Sequence, residues 1–253
     1  MTSSVNKEIK TIHRVLWTGG WDSTYRMVEL AREGAAIEPV YVVNPGRRSY
    51  EIELSRMREI IAMLEEPRRF GCELLPLRII NIEDIPANDE MTAAFNRVKE
   101  EAKAVLNEDL GPQYEWLGRL SCVIPDLELC IEAAEPGRLV SRDMIEHGSD
   151  AAKTLWGNFI LPIYNKTEQD MLGDIRAWHC EDIMKKIWFC NHPLINGEPC
   201  GLCHPCCIKM KSGMKFLLPQ AAIDRNLEMK RMDEASAKEF RMKVWCEKGI
   251  KTC

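Results

Sequence analysis

The chain has 253 residues, 45% of them hydrophobic and 29% charged, which is the composition of a globular protein and excludes a disordered or fibrous one. Its net charge of -5 and pI near 5.7 leave no overall field favouring nucleic acid. The length suits one large α/β domain, alone or with a small appendage.

The first residues, MTSSVNKEIKTIH, are polar and lack the apolar stretch of a secretion signal. No apolar run approaches the ~18 residues of a spanning helix, so the expectation is a soluble, cytoplasmic protein without membrane partners. Residues 11–17 (TIHRVLW) read as a strand. A glycine turn follows, then a helix over 23–32 with Met27, Leu30 and Ala31 on its apolar face and Gly34 placed to end it. Residues 37–43 read as a second strand, 52–64 as a second helix and 74–80 as a third strand. Residues 91–106 and 114–123 are helical, 127–131 a strand, 154–160 strand or loop, and 167–175 a short helix. Strands alternating with helices predict an α/β fold, with a mostly parallel sheet covered on both faces and right-handed crossovers. Beyond about residue 180 cysteine, proline and glycine concentrate, and a charged helical tail runs over 223–248.

The turn between the first strand and helix is Thr18-Gly19-Gly20-Trp21-Asp22-Ser23-Thr24. Glycines let a backbone approach an anion closely, and free N–H groups at a helix start favour phosphate. The hydroxyls of Thr18, Ser23 and Thr24 are potential donors to phosphate oxygens. Asp22 either caps the helix or sits near a magnesium ion on the phosphates. The plain alternative is a capped helix after a tight turn. The stretch has neither the GxGxxG nor the GK[ST] pattern.

Eleven cysteines are an odd number, and in a cytosolic chain clustered cysteines point to metal or catalysis. Cys190, Cys200, Cys203 and Cys206 follow the pattern C-x9-C-x2-C-x2-C. Four thiolates suit a closed tetrahedral zinc site with a structural role, and an iron–sulfur cluster uses the same ligand type. Cys207, His192 and His204 are neighbouring alternative ligands.

TGGWDST resembles the SGGxDS signature of the PP-loop ATP pyrophosphatases, with Thr18 where serine is usual. Together with the late cysteine pattern, whose core is Cys200-Gly201-Leu202-Cys203-His204-Pro205-Cys206, the chain resembles the 7-cyano-7-deazaguanine synthase (QueC) family. Leu161-Pro162 followed by Lys166-Thr167-Glu168 is similar to a helix start found in several PP-loop enzymes. The resemblance implies a doubly wound, mostly parallel, Rossmann-like sheet of the adenine nucleotide alpha hydrolase type. A nucleotide-binding domain would cover residues 1–180, and a zinc-binding helical region residues 181–253. It implies ATP, Mg2+ and Zn2+ as cofactors, with Thr18, Gly19, Gly20, Asp22, Ser23 and Thr24 gripping pyrophosphate. Asp22, Ser23 and Lys166 would serve catalysis, and Arg48 would meet nucleotide. The implied reaction adenylates 7-carboxy-7-deazaguanine and converts it with ammonia to the amide and then the nitrile, releasing AMP and pyrophosphate. A homodimer is common in that family.

The chain departs from the family in its middle. Asn44-Pro45-Gly46-Arg47-Arg48-Ser49-Tyr50 stands where a YGQRH-like segment is usual, so Gly46 and Arg48 fit but the tyrosine and histidine do not. Other readings therefore stay open. The enzyme could stop at the amide or join the deazaguanine to another amine or a protein, as in antiphage defence. A tRNA-thiolating PP-loop enzyme would use a pair such as Cys122 and Cys130, although the acidic chain argues against direct nucleic-acid binding. A binding module could keep ATP without turnover. Arg47 and Arg48 meet nucleotide or belong to a solvated loop; Trp21, Tyr114 and Trp116 stack on a purine or sit in the core. His13 is packed in its strand. Asp126 and Glu128 bind a guanidine edge or form an exposed strand face.

Overall fold

A computed structural model describes residues 11–47, 49–134 and 140–247. The chain divides into two compact units. The first draws its described residues from Met1–Trp17, Arg26–Val42 and Leu64–Asn165, and the second from Thr18–Tyr25, Val43–Met63 and Lys166–Cys253.

The first unit holds a mostly parallel sheet. Its strands are β1 (Ile12–Leu16), β2 (Ala36–Val43), β3 (Glu73–Leu74), β4 (Arg78–Asn81) and β5 (Leu127–Glu128). The order is β3-β2-β1-β5, and β4 also pairs with β2. β1 runs parallel to β2 from Ile12↔Ala36 to Leu16↔Val40, and parallel to β5 at Arg14↔Leu127 and Val15↔Glu128. The chain therefore builds outward on one side of β1, then returns to add β5 on the other. Helix α1 (Trp21–Arg32) follows β1. It closes at Gly34, whose N–H reaches the Ala31 carbonyl while that of Ala35 reaches Leu30, the paired bonds of a Schellman end.

The strand expected over 74–80 is broken in two. Leu75-Pro76-Leu77 separates β3 from β4, and proline has no N–H for a ladder. The strand expected over 127–131 stops at Glu128, because Ile131 turns back to bond the Leu129 carbonyl. The stretch 154–160 is helix only at its start; over 157–159 it is turn and loop, as expected. Helix α6 (Asp150–Trp156) covers its start, and only Ile160 bridges to Glu128.

Between β4 and β5 lie α3 (Asp89–Leu106) and α4 (Gln113–Ser121); α5 (Val140–His147) precedes α6. Asn88 caps α3 by accepting the Met91 N–H, and Asn107 ends it in the left-handed region at φ 55°. Met91, Ala94, Phe95, Val98 and Ala102 form its buried stripe, the i, i+3, i+4, i+7 spacing of a core-facing helix. Ala94, Phe95, Val98 and Ala102 of this stripe join Leu117, Leu120, Leu127, Leu155 and Trp156 in an apolar core. Burying one such side chain contributes about 1.5–3 kcal/mol.

The second unit contains the glycine loop, most of α2 (Tyr50–Leu64), α7 (Glu168–Ala177), α8 (Glu181–Met184), α9 (His204–Lys211), α10 (Gln220–Met229) and α11 (Glu234–Glu247). Its core has another character. Cys190, Cys200, Cys203 and Cys206 are buried among Trp188, Leu194, Leu202, Met210, Leu218 and Ala222. The charged tail is two helices rather than one. Asp233 interrupts it by accepting the Ser236 N–H and hydroxyl, which caps α11. No helix among the described residues is long and apolar enough to cross a membrane.

Candidate metal centre and glycine loop

The four cysteines come together as the spacing predicts. Their sulfurs all lie within 4.8 Å of one another, and all four residues are buried. Cys203 Sγ stands 3.4 Å from Cys206 Sγ and 3.8 Å from Cys190 Sγ. A tetrahedron of sulfurs around one zinc at ~2.3 Å has edges of about 3.8 Å, so the cluster could hold a metal ion such as zinc. Backbone amides already point at the sulfurs. The Cys200 N–H donates to Cys190 Sγ at 3.2 Å, and those of Leu202 and Cys203 donate to Cys200 Sγ at 3.3 Å each. Such donors favour thiolate over thiol. Hydrogen bonds from the Cys190, Cys203 and Cys206 thiols, and then the Leu202 amide, hold the Cys200 thiol far below the ordinary range against the effect of burial.

The turn that makes this possible needs its glycine. Gly201 has φ +78°, and a Cβ there would lie 2.1 Å from the Ala222 carbonyl oxygen. Helix α10 grips the same turn. Arg225 donates to the Cys200 and Pro199 carbonyls, and Asn226 Nδ2 to the Gly201 carbonyl at 2.9 Å. Three neighbouring candidates stand outside the quartet. Cys207 receives Asn226 Nδ2 at 3.2 Å, His192 stacks on Trp245 with ring centroids 4.1 Å apart, and His204 is exposed at the start of α9.

The glycine loop lies in the same unit. Gly19 adopts φ +68°, and a Cβ on it would press on Met57 at 3.1 Å. The Gly20 carbonyl accepts the Thr24 N–H at 3.1 Å, so Gly20, not Asp22, occupies the cap position of α1. Asp22 falls in the first turn. The Thr18 N–H donates to Ser23 Oγ at 3.4 Å, closing the loop on itself. Ser23 and Thr24 are buried.

Asp22 sits among charges. Part of the residue is accessible, but Oδ1 is enclosed and has no hydrogen-bond partner. Burial pushes its pKa up to about 6; Lys209 pulls it down and Glu168 pushes it further up. Lys209, from α9, is buried and ion-paired with Glu168. Its Nζ also lies 5.3 Å from the centre of the Trp21 ring. Trp21 is thus a core residue of this unit, with its indole N–H enclosed and lacking a partner.

Lys166 meets the residue that follows the loop, Tyr25, with its Nζ 5.6 Å from the ring centre. Lys166 Nζ is 2.8 Å from Asp174 Oδ2, which accepts the Tyr25 hydroxyl at 2.6 Å. Tyr25, one residue past the loop, stacks on Trp178. Thr167 starts α7 with a reciprocal capping box to Asp170. Arg47 is half exposed and paired with buried Glu53 at 2.9 Å. Arg48 lies outside the described residues.

In the first unit the sheet-borne candidates turn inward. Glu128 is buried, receiving Arg26 Nε at 2.8 Å and contacting His13 Nδ1 at 2.7 Å. Asp126 is exposed in the turn just before β5, at φ 56°. The two carboxylates therefore form neither a guanidine-binding pair nor an exposed strand face. Tyr114 packs edge-on against Trp156, and Trp116 against the same apolar core.

Sequence reading missed Lys209, whose IKMK context looks like a solvated charge run. It also missed the main-chain bond from Trp188 N to Gly19 O at 2.8 Å, for which no side-chain pattern exists. No known protein-family model matches the chain, and no curated protein matches it.

Proposed function

We propose that the chain is an ATP-dependent adenylating ligase of the PP-loop type, similar to the 7-cyano-7-deazaguanine synthases. One observation carries the reading. The two motifs that suggest it, at opposite ends of the chain, are hydrogen-bonded neighbours. Trp188, two residues before Cys190, donates its N–H to the carbonyl of Gly19, and its indole N–H reaches the Cys190 carbonyl at 2.9 Å.

On this reading the first unit is a doubly wound, Rossmann-like sheet, and residues 18–24 receive the pyrophosphate of ATP. The left-handed Gly19 keeps the loop backbone close to the anion, and the free N–H groups at the start of α1 face it. Asp22 would hold a magnesium ion on the phosphates, and that cation's charge would offset the cost of burying the carboxyl. Lys166 supplies a cation beside Tyr25. The carboxylate of 7-carboxy-7-deazaguanine attacks the α-phosphorus, forming the acyl-adenylate as pyrophosphate leaves. Ammonia then displaces AMP to give the amide. A second ATP activates the amide oxygen, and loss of AMP and a proton leaves the nitrile. Positioning and fixed dipoles do most of this work. The cysteine quartet holds zinc in a structural role, since four sulfurs leave no open position for water.

The test is incubation with ATP, ammonium and 7-carboxy-7-deazaguanine, followed by mass spectrometry. A nitrile with release of AMP is expected. An amide or a conjugate would replace the product assignment, and no AMP release with any carboxylate would overturn the enzyme reading. Ser23→Ala should slow AMP formation by about tenfold to a hundredfold as one loop oxygen is lost; an unchanged rate refutes the loop assignment.

A further inference from the structure

Helix α9 has an unusual beginning. Its cap residue is Cys203, which makes no side-chain capping hydrogen bond, and Pro205 and Cys206 complete its first turn. Cys203 and Cys206 therefore occupy the cap and third helical positions, the two positions that a capping box joins by hydrogen bonds. Here an ion shared by the two sulfurs, which stand 3.4 Å apart, could take the place of those bonds. An eight-residue helix is too short to persist by itself. Its order depends on what anchors its first turn.

Three residues beyond Cys206, on the same buried side of α9, stands Lys209. It pairs with Glu168 at the start of α7, and its charge also acts on the Asp22 carboxyl in the glycine loop. It also lies beside the Trp21 ring. Without Lys209 the two carboxylates face each other inside the unit, where like charges repel strongly. The loop would then relax away from Glu168, carrying Trp21 and Asp22 with it.

We infer that Lys209 is a positioning residue that makes the shape of the glycine loop depend on metal binding at the cysteines. The ion staples the first turn of α9, α9 presents Lys209, and Lys209 fixes Trp21 and Asp22. This rests on the metal-binding half of the proposed function, not on its ATP chemistry.

The experiment uses the full chain, stripped by a chelator under reducing conditions and reloaded with zinc. Metal analysis gives the stoichiometry, and hydrogen exchange is followed in the peptides covering 18–24 and 204–211. In the natural protein one zinc per chain should slow exchange in both. In Lys209→Met zinc should still bind and protect 204–211, while the protection gained by the loop falls about tenfold, the value of a charge-assisted hydrogen bond. Lys209→Arg should restore most of it. The double variant Lys209→Met with Glu168→Gln removes both buried charges, so it keeps the test valid if the single variant unfolds; its α9 should respond to zinc and its loop should not. A loop that gains full protection in Lys209→Met, or is protected without zinc, overturns the inference, as does a chain that binds no metal. Because no nucleotide is used, failure to form AMP leaves this result standing.

Discussion

Asp22 shows how one residue can be costly to the fold and useful to the site. Its carboxyl is enclosed, Oδ1 lacks a partner, and burial lifts its pKa to about 6. The folded state therefore binds this proton more tightly than the unfolded chain. As a result, stability associated with Asp22 is greatest below its unfolded pKa and is lost as pH rises through about 6. Asp22→Asn should then stabilise the metal-loaded protein at pH 8 by about 3 kcal/mol, since the pKa rises from 3.8 to about 6 and each tenfold change in proton affinity is worth about 1.4 kcal/mol. The gain should fall to about half at pH 5, because there the folded Asp22 is protonated while the unfolded one is still ionised, and it would vanish only below the unfolded pKa of 3.8. Urea unfolding at the two pH values measures this, and an equal gain at both would refute the electrostatic account. Gly201 carries the opposite case. Its positive φ and the 2.1 Å approach to Ala222 leave no room for a side chain, so Gly201→Ala should cost more than about 2 kcal/mol. It should also weaken zinc binding in a chelator competition.

Elements differed in how far they could be read in advance. The tight turn at the glycine loop and the convergence of the four cysteines were legible because both are local: a few residues at fixed spacing determine which atoms converge. Helix α3 was legible because one periodicity, from Met91 to Ala102, covers about three turns. The 74–80 strand was misread although Pro76 was in plain view, since a run of apolar residues outweighed a single missing donor. The inward turn of Glu128 could not be read at all, because Arg26 and His13 come from other elements. Lys209 was hidden for the same reason. Helix α7 allows a direct test of local control. Thr167 and Asp170 cap it reciprocally, so Thr167→Ala should cost about 1 kcal/mol in urea unfolding. Thr167→Ser should recover most of this, and a Thr167→Ala protein as stable as the natural one would show that tertiary contacts alone hold α7.

At the scale of the whole molecule, the two units are stabilised by different means. The first has an apolar core built on α3, α4, α6 and the sheet, with no cysteine among the described residues that form it. The second has the cysteine quartet inside its core, so four of the residues that should exclude water are ionisable thiols. Without an ion those sulfurs compete for a few protons in a space of low polarity, an arrangement that binding energy from the metal would normally offset. Metal removal should therefore act on one unit more than the other. In the chelator-stripped, reduced chain, hydrogen exchange over 190–230 should approach that of an unfolded peptide, while 89–106 keeps the protection it has with zinc. Heating should show an early transition that zinc shifts upward and a later one that zinc hardly moves. A single transition, with protection lost equally in 89–106 and 190–230, would mean that the chain folds as one cooperative body and that the ion stabilises all of it.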